Sequence, residues 1–181
     1  MRTAIEIYGK PFSEIANYQP MLEEFGKILI QVDVKDYQGD SFVLYQNGQR
    51  FGYLCFGWGS CSGCDALQAC ESFEEVQELM DKLYNSIRWF DSIKELKQFF
   101  DKDMKGEYEY HLEEFHEFVY KVKLFVSQRI RLTLMRDFEQ LAREDTVNKA
   151  CLWLKENAKR FSYDGIDEEK LVEEFKKAMA V

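Results

Sequence analysis

Ser41-Phe42-Val43-Leu44-Tyr45-Gln46-Asn47-Gly48-Gln49-Arg50-Phe51-Gly52-Tyr53-Leu54-Cys55-Phe56 decides the fold class. Two runs of aromatic and aliphatic strand formers, 41–45 and 51–56, flank a polar tetrad. Its Asn47-Gly48 can take the positive φ angles of a type I′ turn, so a β-hairpin is expected. Ile87-Arg88-Trp89-Phe90 is a short run of the same type and a candidate further strand of that sheet. Upstream, Ile5 and Ile7 alternate about Glu6 as an edge strand would, Gly9 and Pro11 break the chain, and Ser13 can cap a helix. Pro20 can open a helix through Met21 and Leu22, whereas the β-branched tail through Val32 and Val34 suits a strand equally well.

Downstream of the hairpin the period changes from two to between three and four. Ser72 with Glu75, and Ser92 with Glu95, are spaced as capping boxes. They precede Val76, Leu79, Met80 and Leu83 in one case, and Ile93, Leu96, Phe99 and Phe100 in the other. From Tyr108 the positions Leu112, Phe115, Val119, Val122, Val126, Ile130, Leu134, Phe138 and Leu141 describe one long amphipathic helix or two joined end to end. A helix around 147–158 carries Ala150, Cys151, Trp153 and Leu154; another, capped by Asp167, carries Leu171, Val172, Phe175 and Met179. The expected architecture is α+β: a small antiparallel hairpin or sheet packed by helices over 1–106, then a predominantly helical region over 107–181 packed on it as one domain.

With 181 residues, 46% hydrophobic, 31% charged and only two prolines, the chain is neither disordered nor linker-like. No apolar run reaches the ~18 residues of a membrane span, and the N-terminus has no recognisable signal, so a cytoplasmic protein is expected. The net charge of −9 disfavours general binding to nucleic acid or to an anionic membrane. There is no phosphate-binding Gly-rich loop with its lysine, no nucleophile elbow and no HExxH, so catalysis has little support.

The loop after the hairpin, Gly57-Trp58-Gly59-Ser60-Cys61-Ser62-Gly63-Cys64, concentrates the chemistry. Cys55, Cys61, Cys64 and Cys70 follow C-x5-C-x2-C-x5-C, and the small residues inside Cys-Ser-Gly-Cys let two thiolates turn toward one ion. Zinc is the cofactor that spacing suits, and none other is indicated. His111 and His116, five residues apart, would sit on different helix faces and are poor substitutes for the outer cysteines. Two other readings stay open. A CxxC ahead of a helix can be redox-active, although the thioredoxin-like βαβ order is missing. Alternatively the cysteines are small buried hydrophobes at a hairpin-to-helix junction, as Cys151 is expected to be on its amphipathic helix.

Charge is polarised along the chain: residues 1–119 carry a net −11, 120–160 a net +5 and 161–181 a net −3. On the long helix Glu107, Glu109, Glu113, Glu114 and Glu117 are followed by Lys121, Lys123, Arg129 and Arg131. A solvated face that complements the helix dipole accounts for this. So does an acidic surface, joined by Glu74, Glu75, Glu78 and Asp81, that imitates a phosphate track and occupies a basic nucleic-acid channel on a partner. The basic stretch would then be the alternative nucleic-acid contact.

The segments Phe51–Cys70 and Ile87–Leu96 resemble small phage- and prophage-encoded proteins, among them the Cas9-inhibiting type II anti-CRISPR proteins. The resemblance spans about residues 40–120 and adds nothing for 121–181. It implies a host-defence antagonist in the bacterial cytoplasm. That antagonist would bind a Cas9-type nuclease or its guide-RNA complex and block DNA binding or cleavage. A different class of protein, a zinc- or thiol-dependent adaptor, fits the cysteine loop.

Overall fold

The computed structural model describes residues 1–9, 11–15, 17–102, 112–144, 147–158 and 168–179. Its contacts divide the chain into two compact units, Met1–Lys123 and Leu124–Val181.

The first unit is built on an antiparallel sheet of order β1-β2-β3-β4, with β1 Lys27–Asp33, β2 Gly39–Asn47, β3 Arg50–Trp58 and β4 Arg88–Phe90. The expected hairpin is β2–β3, paired from Gly39↔Trp58 to Asn47↔Arg50. Its two-residue loop is Gly48-Gln49, one position later than Asn47-Gly48, and Gly48 takes φ +59° where a primed hairpin turn needs a positive angle. β1 pairs with β2 through a register shift between Ile28 and Ile30, and β4 pairs with β3 as its sequence suggested.

Helices cover both sides of this sheet, so Phe42-Val43-Leu44-Tyr45 is buried without interruption rather than alternating with polar residues. Val43, Tyr45, Leu54 and Phe56 meet Ala4 and Tyr8 of α1 (Ala4–Tyr8), Met21 and Leu22 of α2 (Gln19–Leu22), and Val76 and Met80 of α3 (Phe73–Ser86). On the other face Phe42 lies 5.4 Å from Phe115 and Tyr53 lies 5.5 Å from Phe118, ring centroid to ring centroid. Phe115 and Phe118 stand near the start of α5 (Leu112–Glu144), and Phe100 of α4 (Ile93–Asp101) is 5.4 Å from Tyr53. Each fully buried phenylalanine contributes about 1.5–3 kcal/mol of transfer free energy.

Ser72 and Ser92 cap α3 and α4 by accepting the N–H groups of Glu75 and Glu95. In both cases the glutamate reaches back to the residue before the cap, Glu71 or Asp91. The N-terminus departs from its expected edge strand. Thr3 and Glu6 form a reciprocal capping box, Gly9 closes the turn at φ +53°, and Ile5 and Ile7 lie on a helix. Ser13 falls inside a short 3-10 turn, Phe12–Glu14, rather than at a helix cap. The ambiguous stretch after Pro20 divides into α2 and then β1.

α5 is continuous over 33 residues. It buries Phe115, Phe118, Val122, Val126, Ile130, Leu134 and Phe138, whereas Leu112 is exposed and Val119 only half-buried. Phe118 therefore takes the core position assigned above to Val119. Tyr108, Asp167 and the side chains of Leu141 and Met179 lie outside the described residues.

In the second unit α6 (Val147–Ala158) and α7 (Glu168–Met179) bury Ala150, Cys151, Leu154, Leu171, Val172 and Phe175. Phe175 stands 5.3 Å from Phe138 of α5, and Arg131 pairs with Glu174. Among the described residues no helix is long and apolar enough to cross a membrane.

Candidate functional site

β3 ends at Trp58, and the chain turns through the cysteine loop before α3 begins. The N–H groups of Cys64 and Asp65 both donate to the carbonyl of Cys61, at 2.9 and 2.8 Å, which winds Cys61–Asp65 into a single tight turn. Asp65 anchors that turn from beneath and is only 5% exposed. Its Oδ2 accepts the Gly59 N–H at 2.8 Å, while Oδ1 accepts the Gln68 N–H at 2.9 Å and the Tyr18 hydroxyl at 3.1 Å. Tyr18 in turn accepts the Leu67 N–H, and the Gln68 amide donates back to the Gly59 carbonyl. A buried carboxylate holding three donors is how a charge becomes tolerable away from water.

On this scaffold the two inner cysteines are exposed and adjacent, their sulfurs 2.8 Å apart. Cys64 also donates to the Cys61 carbonyl at 3.3 Å. The Cys61 thiol is held below its ordinary pKa, first by the hydrogen bond from Cys64 and then by the Gly63 backbone N–H. Gly59 makes room for the pair, since a methyl carbon there would fall 2.7 Å from Cys64 Sγ.

The outer cysteines do not join them. Leu54 and Phe56 point to the α1–α3 side of the sheet, so Cys55 between them points to the α5 side, opposite Phe42. Cys70 packs instead against the α1–α3 core and donates its S–H to the Ala66 carbonyl at 3.2 Å. Burial pushes the Cys70 thiol up, with Glu75 and Asp65 adding to the effect. Among the described residues no three His, Cys, Asp or Glu side chains are grouped to hold a metal ion. Cys151 is buried on α6. His116 is exposed, and His111 lies outside the described residues.

Of the acidic row, Glu107 and Glu109 lie outside the described residues, Glu113 is exposed and Glu114 half-buried. Glu117 pairs with Lys121 at 2.6 Å, which lowers the Glu117 carboxyl pKa. Of the basic stretch, Lys121 is thus engaged and Lys123 is half-buried. Arg129 stacks 5.4 Å above Phe125, and Arg131 is paired with Glu174. On α3, Glu74, Glu75, Glu78 and Asp81 are all exposed.

Beside the cysteine turn is an open depression of about 520 Å³, lined by Gln38, Gly39, Asp40, Gly57, Trp58, Cys64 and Ala66. Neither it nor the Tyr18–Asp65–Gln68 anchor is visible in the cysteine spacing. Asp65, placed directly after the CxxC and three residues before Gln68, is the one local signal, because that offset suits a side chain capping its own turn. No family model matches the chain, and no curated protein or solved structure matches it.

Proposed function

We propose that the chain is a thiol-dependent interaction module that engages its partner by thiol–disulfide exchange at Cys61 and Cys64. The observation that carries this is the pair of exposed sulfurs, 2.8 Å apart, on a turn fixed by a buried carboxylate. Cys61, whose pKa is lowered, is the better nucleophile. Its thiolate attacks one sulfur of a partner disulfide, the partner S–S bond breaks, and the departing thiolate takes up a proton. Cys64 loses its proton and attacks the Cys61 sulfur of the mixed disulfide, releasing the second partner thiol. Two thiols of the chain are thereby oxidised to one disulfide while one partner disulfide is reduced to two thiols.

The test uses a neutral probe, bis(2-hydroxyethyl) disulfide. The reduced wild-type chain should lose two hydrogens and map to a Cys61–Cys64 bond, and Cys64→Ser should stop at a mixed disulfide on Cys61. No bond between these two residues under oxidising conditions, or preferential modification of Cys55 or Cys70, overturns the assignment.

A second reading, a host-defence antagonist that occludes the nucleic-acid channel of a Cas9-type nuclease, is supported by the exposed carboxylates Glu74, Glu75, Glu78 and Asp81 along α3. Its test is inhibition of DNA cleavage by such a nuclease, weakened when three of these acids are reversed to lysine. Equal inhibition by the reversed protein removes this face from the interface.

A further inference from the structure

The depression beside Cys64 carries its own charge pattern. Asp40 is the only charged side chain among the described residues lining it, and none of them is basic. The Asp40 carboxylate leans over the end of β3, where a methyl carbon on Gly57 would lie 3.5 Å from its Oδ1. A methyl carbon on Gly59, two residues on, would touch Cys64 Sγ. The Asp40 carboxylate and the Cys64 sulfur thus border the same opening. A fixed charge on one rim of a depression acts on a group reacting at another, and salt screens that action over a Debye length of about 8 Å at physiological strength. Gly57 leaves backbone uncovered on the floor, whereas Gly39 is covered by the Val34 side chain, and Trp58, half-buried and packed against the α1–α3 core, stands at its edge.

We propose that this depression is the substrate subsite of the dithiol, and that Asp40 makes it select cationic disulfides, such as a cystine flanked by lysine or arginine, over anionic ones. The inference rests on the exchange chemistry proposed above. An incoming basic group meets Asp40 as its disulfide reaches the Cys61–Cys64 pair, whereas an anionic disulfide is repelled from the same opening.

The experiment compares the rates at which cystamine, a dication, and 3,3′-dithiodipropionate, a dianion, oxidise the reduced full-length protein. The ratio of the two rates should exceed that of the urea-unfolded chain, which controls for net charge. Asp40→Asn should lower the ratio by about threefold, as should raising the salt well above physiological strength. Gln38→Lys, which adds a cation to the rim while keeping Asp40, changes the local charge by the same one unit and should lower it likewise. An unchanged ratio in both variants overturns the subsite while leaving the exchange chemistry intact. Failure of cystamine, dithiodipropionate and the neutral probe alike to close the Cys61–Cys64 bond overturns both.

Discussion

Replacing Asp65 by asparagine tests whether the cysteine turn is fixed from below, as its hydrogen bonds imply. The carboxylate accepts three hydrogen bonds, from Gly59 on Oδ2 and from Gln68 and Tyr18 on Oδ1. Bonds to a charged group contribute about 1.5–3 kcal/mol each, which places an upper bound of roughly 4.5–9 kcal/mol on the set. The effective loss is smaller, because a released turn lets each donor find water. Asparagine has nearly the same shape but must aim an NH2 group either at the Gly59 N–H or at the Gln68 N–H and the Tyr18 hydroxyl. Neither orientation satisfies all three donors, so Asp65→Asn should cost about 2–4 kcal/mol. The assay is urea unfolding in a Trp153→Phe background, where the remaining indoles, Trp58 and Trp89, both belong to the first unit. The midpoint should fall with the slope unchanged, and the rate of Cys61–Cys64 closure should fall with it. A variant within about 0.5 kcal/mol of wild type would refute the anchor, because surface substitutions alone stay in that range.

Phe115, 2% exposed and 5.4 Å from Phe42, should cost about 3–5 kcal/mol on truncation to alanine, read as a lowered unfolding midpoint; an unmoved midpoint would mean the start of α5 is not docked on the sheet. Gly59→Ala places a methyl carbon 2.7 Å from Cys64 Sγ and should cost about 1–3 kcal/mol while slowing disulfide closure, measured by mass spectrometry of quenched samples. The lowered Cys61 pKa makes its iodoacetamide alkylation turn on at lower pH in the folded protein than in the unfolded one, and Cys64→Ala should shift that midpoint upward. The sign for stability follows: the favourable contribution is fully present above the unfolded thiol pKa and is lost as pH falls through the folded one.

The parts of the fold legible in the sequence are those set by neighbours along the chain. Asn47-Gly48 marks the hairpin to within one residue because only a residue free to take positive φ closes it. Ser72 and Ser92 mark helix starts because an orphan N–H lies three residues away from each. The misread N-terminus has a physical cause. Ile5-Glu6-Ile7 alternates like a strand, but three residues are too few to separate period 2 from period 3.6, and the Thr3–Glu6 box decides for helix. On α5, Phe118 rather than Val119 is buried, since a stripe repeating every four residues advances about 40° per step around a helix of 3.6 residues per turn. No single face persists along its whole length.

The candidate site divides the same way. Cys61 and Cys64 meet because three residues can close a turn, which is a local property. Cys55 and Cys70 depend on which side of the sheet each occupies, and spacing along the chain does not encode that. Cys55 lies six residues before Cys61, and Cys70 six after Cys64, so the pattern is symmetric on paper. Strand alternation sends Cys55 to the α5 side, while the turn stacked on Asp65 lays the half-buried Cys70 against the α1–α3 core. The two outer thiols thus experience burial and packing, and the inner two experience solvent, each other and a backbone N–H. Thiol acidity follows environment rather than motif: burial raises the Cys70 pKa, and the neighbouring thiol lowers that of Cys61. A four-cysteine spacing in the sequence becomes, in three dimensions, one exposed pair of neighbouring sulfurs and two packed thiols.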